Sequence, residues 1–263
     1  MKKNNLPAEV KMSSNVKTIK ISKENTVKEI SVKRNEHVEI FLEIAEGGEA
    51  KINLEENSHL EIFVKTGNLT SGKLKMKFVL GKNACAKIIS CNFGAVEEET
   101  EILQKGEGSR CEHFAVGFAQ GKQRIHKKID HIHIGEKTYS RTRFKYIATD
   151  FAQVDLSGKV VIEETGKNTD THLLLKGLSL SGEALLKLVP LLNVYNNNVT
   201  AGHGAASATL GENELFYMQS RGIEKKEAVQ LAAEGFLEEI LELGKFNESI
   251  AKRVSEEIGG VIR

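Results

Sequence analysis

The sequence predicts an all-β body of stacked short strands closed by a helical C-terminal tail. Three observations predict it. Apolar and polar residues alternate with a period of two over most of residues 16 to 200. Small turn clusters punctuate that alternation at short, nearly regular intervals. After Gly211 the apolar spacing changes to a helical one.

Residues 1–15, MKKNNLPAEVKMSSN, read as a polar, flexible tail. They lack the apolar core of a signal peptide, so none is expected. The body spans 16–210. VKTIKI, VKEISV and VEIFLEI open on Val16, Val27 and Val38, a loose recurrence that suits stacked strands with tight corners. In the third, Val38, Ile40, Leu42 and Ile44 alternate with Glu39, Phe41 and Glu43. Leu60, Ile62 and Val64 repeat the pattern, as do Leu74, Met76, Phe78 and Leu80. Turn residues collect at Ala45–Gly48, Thr66–Gly72, Gly81–Asn83, Gly106–Ser109 and Gly166–Asn168. Ile125 and Ile129 share one parity and Ile132 and Ile134 the other, which predicts a bulge or corner near Asp130. Pro7 falls in the tail, and Pro190 needs an edge or bulge because it has no N–H.

The helical subdomain spans 211–263. Glu212 to Ser220 forms a first helix with Leu215, Phe216 and Met218 or Gln219 on its packed side, stopped by Gly222. Glu224 to Leu243 forms a second. Its apolar stripe is Ala228, Leu231, Ala232, Gly235, Ile240 and Leu241, widened by Phe236 and Leu237. A weaker third helix covers Asn247 to Ile258. This apolar face has two uses, capping the end of the β stack or docking another protein.

Composition excludes several classes. The net charge of +1 over 263 residues offers no basic field for nucleic acid. No apolar run approaches the ~20 residues that span a bilayer, and a cytoplasmic protein is expected. Cys85, Cys91 and Cys111 show no CxxC spacing, so reduced and mostly buried thiols are expected.

Four groups carry candidate chemistry. His203 lies between Gly202 and Gly204, which leaves its ring accessible as a metal ligand, or else it fills a tight loop. His131 and His133 point the same way on a strand near His126; they hold a metal or, on the blander reading, lie on a solvated polar face. Cys111 and His113 form a short pair that reads as structural. Asp170 and His172 flank Thr171, but no nucleophile motif and no phosphate-binding glycine loop accompanies them. Any nucleotide must therefore be brought by a partner.

The stretch NVYNNNV, GHGA, LGENELFYMQSRGI and EAVQLAAEGFLEEIL, within 193–241, resembles the C-terminal signature of the SufB/SufD family of SUF iron–sulfur cluster scaffolds. Weaker likeness reaches back to His126, through HKKIDHI and the run from Thr169 to His172. The resemblance implies a right-handed parallel β-helix (a β-solenoid) with flanking helices. It implies dimerisation through the end strands, with a SufB-like partner or with itself. It also implies docking of a SufC-type ABC ATPase through the C-terminal helices, with Phe216, Tyr217, Arg221 and Phe236 as docking residues. His203 matches the SufD histidine expected at a nascent cluster or iron on the dimer interface; no cofactor is expected on the isolated chain. The cluster-ligating cysteine of SufB falls at Ala184 here, and Gly-His-Gly replaces Glu-His-Glu, so the chain is SufD-like. It resembles a minimal core version without the N-terminal helical domain of longer members. Whether Cys85, Cys91 or Cys111 replaces the missing thiolate stays open.

The resulting expectation is a non-enzymatic SUF scaffold. Its rivals are a carbohydrate-active β-helix enzyme, for which Glu97–Glu99 and Glu163–Glu164 offer acidic turns but no placed pair, and a purely structural regulator of the ATPase.

Overall fold

A computed structural model describes residues 16–21, 27–44, 46–67 and 73–244. The strands are β1 (Val16–Ile21), β2 (Val27–Val32), β3 (His37–Ile44), β4 (Gly48–Leu54) and β5 (His59–Gly67). Next come β6 (Leu74–Leu80), β7 (Cys85–Phe93), β8 (Val96–Gln104), β9 (Arg110–Ala119) and β10 (Arg124–His133). The series closes with β11 (Tyr139–Ala148), β12 (Gln153–Ile162), β13 (Asp170–Ser179), β14 (Leu185–Val194) and β15 (Thr200–Thr209). Two helices follow, α1 (Glu212–Ser220) and α2 (Lys225–Gly244). The third helix expected at Asn247 to Ile258 lies outside the described residues, as does the N-terminal tail.

Odd-numbered strands form one parallel sheet of 8 and even-numbered strands a second parallel sheet of 7. Each coil thus gives one strand to each sheet, and the chain winds as a parallel β-solenoid. Val16 and Val27 open successive strands, so two of the short steps seen in the sequence make one coil.

One corner repeats by a common device. Asn35, Asn57, Asn83, Lys137 and Asn168 all have φ between 52° and 60°, and Gly108 has φ 69°. Each stands two residues before an odd strand. Asparagine tolerates this left-handed turn better than most side chains because its amide bonds locally. Here the amides also stack between coils: Asn83 Nδ2 donates to Asn57 Oδ1 at 3.2 Å and Asn198 Nδ2 to Asn168 Oδ1 at 2.9 Å.

Alternation places one set of side chains between the sheets. Ile40, Leu42, Leu60, Ile62, Leu74, Phe78 and Ile88 are all fully buried there. Each such burial contributes about 1.5–3 kcal/mol. A second apolar layer lies on the outer face of the odd sheet: Phe41, Phe63, Ile89, Cys91, Phe114, Val116, Phe118 and Ile147. Helix α2 covers it with Ala233, Leu237 and Ile240, running over β9 and β11. The helix therefore roofs a side of the solenoid rather than capping its end.

Several expectations need correction. No bulge interrupts β10: it pairs with β12 without a break from Arg124 to His133, and Ile132 faces outward. His131 and His133, not isoleucines, keep the inward parity. In α2, Leu231 is 45% exposed and Gly235 is exposed, whereas Ala233 is buried, so the packed stripe is rotated from the expected one. In α1, no residue is buried and Phe216 is 73% exposed, contrary to its expected packed side. The α1 bounds and its stop are as expected. Gly222 has φ 87°, with its N–H bonded to the Gln219 carbonyl at 2.9 Å and that of Ile223 to Met218 at 3.3 Å. Among the described residues no helix is long and apolar enough to cross a membrane.

Candidate functional site

His203 does not sit in a loop. Gly202 to Ala208 belong to β15, which pairs with β13 in unbroken register, His203 opposite Leu173. On an inner coil that parity would bury the ring. On the last strand of the odd sheet no further coil among the described residues covers it, and His203 is exposed. Gly202 beside it serves packing, because a Cβ there would lie 3.0 Å from the His172 ring. The His172 pKa is lowered by partial burial first, then by Arg141 and Arg143, with a smaller push from His203. Asp170 opposes these with a smaller upward pull on His172. It accepts a bond from Arg141 Nη2 at 2.9 Å. Among the described residues His203 belongs to no group of three or more His, Cys, Asp or Glu that could hold a metal ion. A metal held there needs donors from outside this chain.

The same end of the molecule offers two open strand edges. Among the described residues β14 and β15 terminate their sheets, so each carries a row of backbone groups that no described strand pairs. Pro190 sits in β14, where an edge tolerates its missing N–H. Leu185 and Leu191 are exposed on that strand, at 59% and 46%.

The structure divides the four expected docking residues. Phe216 and Tyr217 lie open on α1 and Arg221 stacks over the Tyr217 ring at 5.4 Å. Phe236 instead faces the solenoid, packed beside the second apolar layer. Lys145 Nζ sits 4.7 Å from its ring centroid, donates to its carbonyl at 2.8 Å and pairs with Glu239. Burial pulls the Lys145 pKa down against the pull of Glu239. Phe236 thus helps to anchor α2, and α1 is left to present its aromatics.

The sequence reading missed a polar interior. It read His131 and His133 as metal ligands or as part of a solvated face; both are buried, at 1% and 0% exposure, stacked 4.7 Å apart. His131 Nε2 donates to Gln104 Oε1 at 2.7 Å; His133 contacts Thr138 at 2.9 Å and Ser140 at 3.1 Å. Next to them Glu98 and Lys127 form an ion pair with both side chains at 0% exposure. Asn92 Nδ2 donates to Glu98 at 2.8 Å, and Tyr146 donates its hydroxyl proton to Asn92. An isolated charge at this depth would be prohibitive, so the pair and its extra donors exist together or not at all. One signal was available: Glu98, Lys127, His131 and His133 occupy the inward parity of strands whose pairing is otherwise regular.

No cysteine pairs with another. Cys91 lies beneath α2 and Cys111 faces inward, where burial pushes its thiol well above the ordinary range and makes it inert. Cys85 is half-buried on the outer face. Ala184, at the expected position of a cluster cysteine, packs against the solenoid core.

On the outer face of the even sheet a groove is lined by Glu49, Lys51, Lys75, Lys77, Glu99, Glu101, Lys128 and Asp130. Its carboxylates are matched by cations: Glu99 with Lys73, Glu101 with Lys77, and Asp130 with Lys128. The pKa of Glu99 is lowered by Lys73. A glycosidase needs the reverse, a carboxylic acid held protonated near neutrality.

Residues 25–236 match the family model described as SUF system FeS cluster assembly, SufBD core domain. An iron–sulfur cluster assembly SufBD family protein of Synechocystis is 30% identical over 166 residues, 62% of this chain and 36% of that protein. One from Staphylococcus saprophyticus is 29% identical over 133 residues, 51% of this chain and 29% of its own length. The iron–sulfur cluster assembly protein SufB of Bacillus subtilis is 25% identical over 162 residues, 61% of this chain and 35% of its own. The matched stretch spans about a third of these relatives.

Proposed function

Because the chain belongs to the family of the SufBD core domain of SUF iron–sulfur cluster assembly, we propose that it is a non-enzymatic scaffold of that machinery. The open edges of β14 and β15 pair with a SufB-like partner or a second copy. Helix α1 docks a SufC-type ABC ATPase, which supplies the nucleotide chemistry. His203, at the open end, ligates iron or a nascent cluster together with donors from across the dimer interface.

The observation that carries this reading is the division of labour in the tail. Leu237 and Ile240 fasten α2 to the solenoid at 0% exposure, while Phe216 and Tyr217 on α1 are 73% and 61% exposed. Aromatics are the commonest anchors at interface centres, and a monomer gains nothing from exposing two in sequence.

The test is capture of the cell's SufC-type ATPase by the purified chain, with Phe216→Ala/Tyr217→Ala as comparison. Truncation after Gly211 is the poorer choice, because it also uncovers Phe114, Phe118 and Ile147. The double variant is expected to lose the ATPase while keeping its circular dichroism. Capture unaffected by it sinks α1 as the docking element. For the cluster role, His203→Ala is compared in anaerobic reconstitution with ferrous iron and sulfide in the presence of the dimer partner. Equal cluster absorbance with intact ATPase capture leaves only a structural role.

A further inference from the structure

In-register stacking of parallel strands brings together three metal-binding side chains that lie far from His203. His37 on β3 pairs with His59 on β5, and both point outward with Glu61 one outward position further along β5. One ligand atom from each of His37, His59 and Glu61 lies within 4.8 Å of the other two. The imidazole centroids are 4.3 Å apart, and His59 Nε2 is 3.6 Å from Glu61 Oε1. From the geometry of this cluster we infer a binding site for one divalent first-row transition-metal ion, with His37, His59 and Glu61 as ligands and water completing the shell.

The donor set is two imidazoles and one carboxylate, which suits zinc or ferrous iron and does not suit the hard cations calcium and magnesium. Ligand nitrogens and oxygens bonded at about 2.0–2.2 Å around a tetrahedral ion are ~3.3 Å apart. The present spacing therefore needs a contraction of about an ångström, within reach of side-chain rotation at a half-open surface. Strand spacing of about 4.8 Å supplies the initial alignment without cost, since it is fixed by the backbone ladder.

The surroundings favour a cation. Glu61 is only 7% exposed although charged, so its charge calls for a close positive partner. Lys87 contacts it at 3.7 Å and His59 at 3.6 Å. Cys85, the neighbour of His59 in register on β7, hydrogen-bonds to its ring. Cys85 then serves as the hydrogen-bonding support that orients a ligating imidazole. The site lies five to six strand positions along the odd sheet from His203, so it is separate from the proposed cluster ligand.

The experiment is calorimetric titration of the untagged, chelator-treated full chain with zinc, repeated anaerobically with ferrous iron. Wild type is expected to bind one equivalent of at least one of these ions at His37, His59 and Glu61. His37→Ala and His59→Ala are each expected to weaken that binding at least tenfold with unchanged circular dichroism. His126→Ala, a histidine elsewhere on the surface, is expected to bind as wild type does. Because His37 is exposed, its removal leaves the fold intact and keeps the test decisive. Absence of saturable binding of either ion, or isotherms shared by wild type and both variants, overturns the site.

Discussion

Lowering the pH from about 7 to about 5 loads protons onto the unfolded chain that the folded solenoid refuses. Burial holds His133 at about 3, against an ordinary 6.5. Burial likewise drives His113 and His131 well below 6.5, with Lys127 adding to the effect on His113 and His133 on His131. All three stay neutral when folded and titrate normally when unfolded. Their stabilising contribution is therefore complete above the unfolded value of 6.5 and is lost as pH falls below it. Each such group costs about 1.4 kcal/mol per pH unit below its unfolded pKa. At pH ~5 that is ~2 kcal/mol each and ~6 kcal/mol for three, comparable with the ~5–15 kcal/mol that stabilises a whole domain. Other groups do not mask this window. His59, raised to about 9, contributes stability that is lost as pH rises through that value and is saturated below 6.5. Glu99, Glu107 and Glu239, lowered from 4.5 by Lys73, Lys137 and Lys145, lose their contribution only below that value. The assay is the urea midpoint by circular dichroism at constant ionic strength, in steps from pH ~7.5 to ~5. A steep fall below ~6.5 is expected, with the slope reduced by about a third in His133→Gln. Midpoints that stay level across the window, or a slope indifferent to His133→Gln, would refute the neutral buried histidines.

Three further outcomes follow from the same packing. Lys127→Met leaves Glu98 buried without its cation and is expected to lower stability by ~3–5 kcal/mol; Glu98→Gln in the same chain should recover part of it. Chemical denaturation checks this, and a single-variant loss under ~1 kcal/mol would contradict the ion pair. Gly106→Ala is expected to prevent native folding, since its Cβ would fall 2.0 Å from the backbone of Gly81 and Lys82. By comparison Gly121→Ala meets no atom within 4 Å at φ +63° and should cost only ~1–2 kcal/mol of backbone strain; equal soluble yields of the two would count against the coil stacking. Leu237→Asp puts a charge where exposure is 0% and should release α2. Limited proteolysis is then expected within 212–244 while the β-sheet dichroism persists, and an uncleaved tail would show that α2 is held by something else.

Alternation, turn clusters and the change of period after Gly211 were enough to recover the strand body, the bounds of α1 and its glycine stop. Those features are local: a period of two, a left-handed residue at a corner and a helix terminus are written within a few residues of one another. The polar interior, the buried face of α2 and the His37–His59–Glu61 cluster were not legible, because each depends on which residues of different coils come into register. Ile132 and His131 differ by one position, and hydropathy alone assigns the isoleucine to the inside. The unbroken ladder with β8 and β12 decides otherwise, since slipping one strand of a closed stack would break the pairing on both sides. Local chemistry thus determined that the chain coils and where it turns. Only the stacking of the coils decided which charges are buried together, which histidine is left open at the end, and which aromatics the roof helix covers or leaves exposed.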